Sequence, residues 1–492
     1  MTEVEIEKKF LLQPCAPKRF LKSHEIDYHK YVIQQYYLAP VNGQYVRYRR
    51  KDSLFFKTIK SGEGMVREEH ESQVSGEEFL EHLDGHIGRL IEKERFVFEY
   101  GSMTYELDRF KKSLKGLCYL EIEFSDEAQA HEFILPKIFE RLVIAEVTED
   151  KRFNNASLSH LETIPSLDTD LDRLLRSVER AVTLKPKGDA PAIEPFESTS
   201  CALRTVIHGF IHQLKENREA LCRGDEDPEI LHQFRIAMRR LRALLGEFDN
   251  YFETSWLDGH QEILSRLMKE TGAKRDVDVT LETMSVYRAL LPRKMKKGLD
   301  PVKAFLIYRR DNLREKVAVL ADSDRLQDEI SAFEKIQRDD NVFRSEASQP
   351  IVLSAMRVLN KRLKRITKEG RKIGPDTDDK AYHKLRIQFK KLRYLIEAME
   401  PLIDRSKYQK VIKMIKKMQT ILGNYHDCQI QRFDLALLAK ETELQQKETQ
   451  KALKRVQKVI KGMEEKERKA YRKGFKSFME HEEILEYLFE VC

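Results

Sequence analysis

Between residue 1 and about residue 160, apolar and polar positions alternate in short runs that Gly, Ser and Asp turns separate. Because successive strand side chains point to opposite faces of a sheet, this period of two predicts β-strands. Helical patterns at 76–83 and 127–142 interrupt them. About eight such strands predict a sandwich or a closed barrel. They fall at residues 4–11, 31–38, 44–50, 54–60, 66–74, 91–99, 103–110 and 117–124.

From about residue 166 the hydrophobic period becomes helical. A short helix near 167–183 leads into a Pro- and Gly-containing stretch at 185–191, which predicts a linker. Long amphipathic helices with few glycines follow Glu197. The predicted division is a strand domain at 1–160, a helix and linker at 161–197, a helical domain at 198–440, and a charged helical extension at 441–492.

The helical part contains an internal duplication with an offset of 151 residues. Segment 231–242 matches segment 382–393, and the same offset relates Gly272 to Gly423 and Asp276 to Asp427. Register is therefore preserved beyond one motif, which predicts two copies of one helical unit folded against each other.

Composition narrows the class of protein. The 492-residue chain is 41% hydrophobic and 35% charged, so two or three domains with sizeable cores are expected. Its net charge of +7 is modest, but residues 354–418 hold 20 Lys and Arg against seven Asp and Glu, a footprint for a polyanion. The six cysteines do not have the spacing of a zinc site. The sequence shows no signal peptide and no apolar run of about 18 residues. These features predict a cytoplasmic protein without a membrane partner.

Charged residues recur at every second position within the predicted strands. Glu5, Glu7 and Lys9 share one strand face, and one such segment alone is typical of a solvated surface. The pattern is repeated in nearly every later strand, so one face of the sheet would carry about eight carboxylates and at least six cations. Curling that face inward gives a charged, water-filled tunnel. Phosphate oxygens with Mg²⁺ or Mn²⁺ would satisfy both sets of charges.

These motifs resemble those of the CYTH family, the triphosphate tunnel metalloenzymes. Glu5-x-Glu7-x-Lys9 is similar to the family's E-x-E-x-K motif, and the ordered series covers most of residues 1–160. The later matches are Val46-Arg47-Tyr48-Arg49, Thr58-Ile59-Lys60-Ser61-Gly62, Arg67-x-Glu69-x-Glu71, Lys93-x-Arg95, Glu106-Leu107-Asp108, Gly116-Leu117, Glu121-Ile122-Glu123-Phe124, and Glu146 to Lys151 with Asn155-x-x-Leu158.

The resemblance implies an eight-stranded antiparallel β-barrel that processes triphosphates with Mg²⁺ or Mn²⁺, and hence an α+β multidomain chain. It implies catalytic roles for Glu5, Glu7, Lys9 and Asp108. It implies phosphate contacts from Lys9, Arg47, Arg49, Lys60, Arg67, Lys93 and Arg95, and metal ligation by Glu5, Glu7, Glu69, Glu71, Glu121 and Glu123.

Two points stay open at this stage. Lys57 competes with Lys60 for the inward position, because only one of the two side chains can point into the barrel. Asn154 stands where many family members carry a lysine.

No Ser, Cys or His motif suggests a covalent intermediate, so direct in-line attack of water on the terminal phosphorus is expected.

In each helical repeat, cationic or protonatable residues recur at i, i+3, i+7 and i+10, along one helix stripe. A single stripe is typical of a solvated basic face, but its duplication favours a polyanion ligand. The pattern resembles the CHAD domain, a helical module associated with inorganic polyphosphate, over about 198–440. The resemblance implies polyphosphate binding by His232, Arg235, Arg239, Arg242, His383, Arg386, Lys390 and Arg393.

The predicted function is therefore a metal-dependent triphosphatase, acting on inorganic triphosphate and joined to a polyphosphate-binding domain. Association with polyphosphate granules is also expected. The alternatives are a non-catalytic polyphosphate scaffold, a class IV-type adenylate cyclase and a thiamine triphosphatase on the same fold. Nucleic acid is not favoured as a partner, because the basic stripes lack interleaved aromatic residues for base stacking.

Overall fold

The computed structural model describes residues 3–39, 45–61, 66–167, 171, 193–374 and 377–490. For residues 3–5, 45, 60, 61, 66–69, 482 and 486 only the backbone is described. The predicted linker at 185–191, and the predicted helix near 167–183 apart from residues 167 and 171, fall outside these ranges.

Nine antiparallel strands form one sheet in the order β5-β4-β3-β2-β6-β7-β8-β1-β9. Strand β1 also pairs with β5, from Glu3 opposite Glu69 to Ile6 opposite Val66, which joins the first eight strands into a ring. The barrel is thus confirmed, with one strand more than predicted. The strands are β1 (Glu3–Leu12), β2 (His29–Tyr37), β3 (Tyr45–Lys51), β4 (Leu54–Ser61), β5 (Val66–Val74), β6 (Ile87–Tyr100), β7 (Met103–Phe110), β8 (Cys118–Phe124) and β9 (Val143–Glu146).

Short helices flank the barrel, at α1 (Pro17–Ser23), α2 (Gly76–Glu81), α3 (Glu127–Glu132) and α4 (Asn155–His160). The prediction of one helix over 127–142 is wrong after α3, where Pro136 lies in a non-helical segment. Phe133, Leu135 and Ile138 in that segment pack instead on the apolar outer face of the barrel. Asn154 caps α4, because its side-chain oxygen accepts a hydrogen bond from the Ser157 N–H at 2.7 Å.

The rest of the described chain is helical. The major helices are α5 (Thr199–Cys222), α6 (Pro228–Glu247), α7 (Thr254–Glu270), α8 (Gly272–Ala289), α9 (Asp300–Ala321), α10 (Asp324–Lys335), α11 (Ile351–Gly370), α12 (Asp379–Ala398), α13 (Arg405–Leu438), α14 (Lys447–Met479) and α15 (Glu482–Glu486). Among the described residues, none of these helices is both long and apolar enough to cross a lipid bilayer.

The duplication is visible in the helix boundaries. Helix α12 begins and ends 151 residues after α6, and α13 begins 151 residues after α7. The first copy, however, divides at Thr271 into α7 and α8, whereas the second copy continues through the equivalent position as the single helix α13. Segment 274–278 is the first part of α8.

One hydrophobic core joins the barrel to the helices. Leu114 and Leu117, which follow β7, belong to the same buried cluster as Leu203 of α5 and Leu353 of α11. Between them Gly116 adopts φ +104°, and a Cβ at this position would lie 2.3 Å from a Leu353 methyl carbon. Glycine is therefore required here both by the backbone angle and by the close approach of the helical region.

Candidate functional site

The charged residues of alternate parity lie on the inner face of the barrel and form a charged lumen. Lys9 Nζ lies 3.1 Å from Glu121 Oε1 and 3.7 Å from Glu7 Oε1. Strand register places Lys9 directly opposite Glu121, and Glu7 opposite Glu123. Two cross-strand pairs of β1 and β8 thus bring four of the predicted site residues together.

Arg95 is the central cation of the lumen. Its Nε and Nη2 atoms bind the two carboxylate oxygens of Asp108 at 2.8 and 2.7 Å, and Nη2 also bonds Glu121 at 2.5 Å. Nη1 forms a further ion pair with Glu106. Burial opposes the charge of Glu121, but Lys9, Lys93 and Arg95 together hold the pKa of its carboxyl well below the usual range.

Among the lumen cations with described side chains, Lys93 is the most buried, and it forms an ion pair with Asp108. Burial, together with the positive charge of Arg95, lowers the pKa of Lys93, although Asp108 and Glu121 oppose this effect. A buried ammonium next to another cation gains from any additional anion that enters the lumen.

A second group of lumen residues lies on β3, β4 and β5. Glu71 accepts hydrogen bonds from Arg49 at 2.6 Å, from Thr58 at 2.9 Å and from Arg47 at 3.5 Å. Arg47 also donates to the Thr58 hydroxyl at 3.1 Å. Glu71, predicted as a metal ligand, therefore neutralises two of the predicted phosphate-binding arginines.

Register answers part of the question that the sequence left open. Arg47 lies opposite Thr58 and Tyr48 lies opposite Lys57, so Lys57 is on the outer face, with its ammonium 5.8 Å from the centroid of the Tyr48 ring. Lys60 has the same parity as Thr58 and lies opposite Glu69. For the predicted site residues Glu5, Lys60, Arg67 and Glu69, only the backbone is described.

The structure also adds residues to which the sequence analysis assigned no role. Glu106 contacts Arg95, Thr58 contacts Glu71, and Lys51 shares the inward parity of Arg47 and Arg49. The signal was available, because Glu106 and Asp108 are two positions apart on one strand. Burial raises the pKa of Glu106 to about 7, with Glu121, Asp108 and Glu123 adding to the rise against the effect of Arg95.

The lumen offers oxygen ligands of the kind that hard divalent cations take. Among the residues with described side chains, no group of three or more His, Cys, Asp or Glu is already arranged around a metal position. The donor chemistry nevertheless fits, because Glu7 and Glu123 are opposed across the ladder and Glu106 lies close to three further carboxylates. Mg²⁺ or Mn²⁺ would compensate these like charges.

A second candidate site lies where the two basic stripes of the repeats meet. Helices α6 and α12 pack against each other, and Arg239 is close enough to contribute to the lowered pKa values of Arg386 and Lys390. We call Arg239, Arg386 and Lys390 the basic centre. Burial first, and then Arg386 and Arg239, lower the pKa of Lys390 to about 8.

The outer members of the stripes make local contacts. Arg235 donates to the Met268 carbonyl and the Thr271 hydroxyl, both at 2.6 Å, and thus holds the junction of α7 and α8. Arg393 donates to Gln419 at 2.9 Å, and Arg386 lies 3.4 Å from Asp427.

The two copies differ around the stripe histidines. In the second copy His383 Nδ1 lies 3.2 Å from His426 Nδ1, and burial and nearby cations lower the pKa of His426 to about 4. In the first copy Arg275 stands at the position of His426 and, after burial, helps to lower the pKa of His232.

The residues next to the basic centre have a different use. Arg240 lies 3.5 Å from Glu397, and Lys391 lies 3.3 Å from Glu247, so these two pairs link α6 to α12. The first residue of Arg239-Arg240 and of Lys390-Lys391 belongs to the basic centre. The second residue of each pair makes an ion pair with the other repeat.

Comparison with known proteins matches each half of this arrangement. The N-terminal part is 33% identical over 157 residues to an inorganic triphosphatase of Nitrosomonas europaea, covering 32% of this chain and 96% of that protein. A second inorganic triphosphatase, from Acetivibrio thermocellus, is 32% identical over 158 residues, covering 31% of this chain and 92% of that protein. The chain belongs to the CYTH family.

The CHAD domain is matched by its family model over residues 205–436. A solved CHAD domain from the plant Ricinus communis is similar, with 23% identity, a TM-score of 0.48, and coverage of 58% of this chain and 94% of that chain. The predicted combination of a CYTH barrel with a CHAD domain is confirmed.

Proposed function

We propose that the CYTH barrel hydrolyses inorganic triphosphate with the help of a divalent metal ion, and that the CHAD domain binds inorganic polyphosphate. The observation that carries the first part is the Arg95 network, in which one guanidinium and two buried lysines are arranged around Glu121 and Asp108. The naming of both curated relatives as inorganic triphosphatases supports the choice of substrate.

In the proposed reaction, five cations bind the phosphate oxygens and stabilise the negative charge that is redistributed in the transition state. They are Lys9, Arg47, Arg49, Lys93 and Arg95. Glu106 is the carboxylate best suited to hold a proton of the attacking water, because the pKa of its side chain is raised to about 7. Asp108 keeps Lys93 and Arg95 in position through its two oxygens.

We assign Glu7, Glu121 and Glu123 as the described residues that would hold Mg²⁺ or Mn²⁺, together with Glu5 of the same strand. When bound, such an ion would neutralise phosphate oxygens and orient the terminal phosphoryl group. The roles of Glu69 and Glu71 in metal binding stay predictions, and the contacts of Glu71 with Arg47 and Arg49 favour a positioning role for that residue.

Metal removal gives the first test. Chelation with EDTA is expected to abolish phosphate release from triphosphate, because the proposed ion neutralises phosphate oxygens and orients the terminal phosphoryl group. Mg²⁺ or Mn²⁺ added back in excess should restore the rate. Assays with triphosphate, ATP and thiamine triphosphate, followed for phosphate and for cyclic AMP, separate the proposal from the alternatives. Full activity in EDTA, or turnover of none of these substrates, would contradict it.

The basic centre supports the proposal of a polyanion site in the CHAD domain. Arg239 on one helix lies close enough to Arg386 and Lys390 on the other to lower the pKa values of both, and this arrangement costs free energy in the free protein. A bound chain of phosphates would offset this cost, because each phosphate offers oxygens for charge-assisted hydrogen bonds.

Polyphosphate binding is expected to weaken as the pH rises from 7 to 9.5, by about tenfold. The pKa of Lys390 in the free chain is about 8, and a bound anion raises it. The complex therefore holds more protons than the free chain above pH 8, so affinity falls with increasing pH. Dissociation constants measured at constant ionic strength would test this, with Lys390→Arg expected to flatten the profile. A flat profile for the unsubstituted chain would be the contrary result.

A further inference from the structure

One end of the charged lumen is closed by an apolar layer. The inward parity that carries Lys9, Glu121 and Lys93 continues to Leu11, Tyr119 and Ile91 on the same strands. Phe110 lies opposite Lys93 in the β6–β7 ladder, and Tyr37 completes the layer from β2. We call these five residues the floor, and all of them are buried in the cluster that continues into the CHAD domain.

Side-chain exposure rises steadily with distance from the floor. Lys93 is 2% exposed and Arg95, two positions further out on β6, is 12% exposed. On β7 the exposure rises from 0% at Asp108 to 18% at Glu106, and on β1 it rises from 7% at Lys9 to 17% at Glu7. This common direction on three strands indicates that solvent reaches the lumen from one end.

The floor is backed by further layers of the protein. The Tyr119 hydroxyl donates to the Phe153 carbonyl at 3.0 Å, and the Phe153 ring and Leu158 of α4 lie in the same core. That core continues through Phe196 to Leu203 of α5. The CHAD domain therefore lies behind the closed end of the barrel.

We propose that Phe110 and Tyr119 are specificity-determining residues that set how many phosphoryl groups the lumen accepts, and that substrate and product both pass through the opposite, open end. This inference rests on the proposed triphosphatase function. It assigns to an apolar layer a selectivity that the charged residues alone do not provide.

The deepest cations lie directly over the two aromatic rings. Lys9 Nζ is 5.7 Å from the centroid of the Tyr119 ring, and Lys93 Nζ is 5.4 Å from that of the Phe110 ring. A terminal phosphate that reaches both ammonium groups meets the two aromatic rings next, and burying an unpaired charge against aromatic carbon is costly. The distance from the floor to the open end then limits the length of chain that fits.

A consequence follows for polyphosphate held by the CHAD domain. Such a chain cannot pass through the floor into the lumen, so it must present a free end around the outside of the barrel. Cleavage of a long chain inside the lumen would be restricted to its terminal groups.

The test compares Phe110→Leu with Phe98→Leu in the full chain. Phe98 is equally buried, but it lies on the outer face and stacks on Tyr105 with the ring centroids 5.5 Å apart. Phe110→Leu is expected to raise the ratio of kcat/KM for linear tetraphosphate to that for triphosphate by about tenfold, because a shorter side chain deepens the lumen. Phe98→Leu should leave the ratio unchanged. An unchanged ratio in Phe110→Leu, or an equal rise in both variants, would overturn the assignment.

Two further measurements extend the test. The first uses the unsubstituted chain, so it does not require Phe110→Leu to fold. The second measures binding, so it does not require turnover. With the unsubstituted chain, long polyphosphate should yield only products cleaved at chain ends, and internal fragments would contradict a closed floor. If triphosphate is bound but not hydrolysed, the proposed activity fails while the inference stays testable by calorimetry in Ca²⁺. There, Phe110→Leu should tighten tetraphosphate relative to triphosphate by a similar factor, and no change would reject the floor as a length determinant.

Discussion

Replacing Arg95 by alanine is expected to abolish triphosphate turnover and to lower the free energy of unfolding by about 3–5 kcal/mol. Arg95 contacts Asp108, Glu106 and Glu121 at once, so its loss leaves three partly or fully buried carboxylates with fewer cations. The same change removes a guanidinium that we assign to the phosphate chain. Urea denaturation and phosphate release, measured on the same preparation, give the two quantities.

Arg95→Lys separates the two roles of this side chain. A lysine keeps one positive charge but cannot bond Asp108 through two nitrogens while reaching Glu106 and Glu121. We expect it to recover most of the stability but to remain about a hundredfold slower than the unsubstituted chain, because donors to the charged transition state are lost. Wild-type turnover in Arg95→Ala would refute the proposed site.

The second large effect is expected at the basic centre. The double substitution Arg239→Gln with Arg386→Gln should weaken polyphosphate binding by roughly a hundredfold or more at low salt, because two charge-assisted hydrogen bonds are lost. The free energy of unfolding should not fall, because the two guanidinium groups repel each other and both burial and Arg239 lower the pKa of Arg386. Calorimetric titration and chemical denaturation together measure both outcomes.

The neighbouring positions provide a matched control that removes the same charge. Arg240→Gln with Lys391→Gln breaks the cross-repeat pairs with Glu397 and Glu247, so it should destabilise the CHAD domain. It should change polyphosphate affinity by no more than about threefold, since bulk charge is a weak, screened contribution. Equal losses of affinity in the two double variants would show that net charge alone attracts the polyanion.

Much of the barrel could be predicted from the sequence because a strand has a local signature. The period of two identified the strands and placed Lys9, Arg47, Lys93 and Arg95 on one face before any fold was known. The same period could not decide whether Lys57 or Lys60 points into the barrel. Residues three positions apart lie on opposite faces of a strand, and only the register with β3 shows which of the two faces inward.

What the sequence could not supply depends on contacts between distant segments. Phe110 and Tyr119 were visible only as the apolar ends of two strands, and their common role as a floor requires the ladder that joins β6, β7 and β8. Likewise, the offset of 151 residues predicted two equivalent units, but not that the first divides at Thr271 where the second runs on as α13. In the first copy the Arg235 guanidinium binds the carbonyl and hydroxyl groups at the break, whereas its counterpart Arg386 lies 3.4 Å from Asp427.

The close approach of Gly116 to Leu353 bears on how the protein can be dissected. A barrel expressed without residues beyond about 165 would leave Gly116, Leu114 and Leu117 uncovered at its closed end. Contiguous apolar surface of this kind promotes aggregation. A stand-alone barrel fragment would therefore need polar replacements at Leu114 and Leu117 to remain in solution. A low yield of the unmodified fragment would reflect its exposed apolar surface and would not indicate a loss of catalysis.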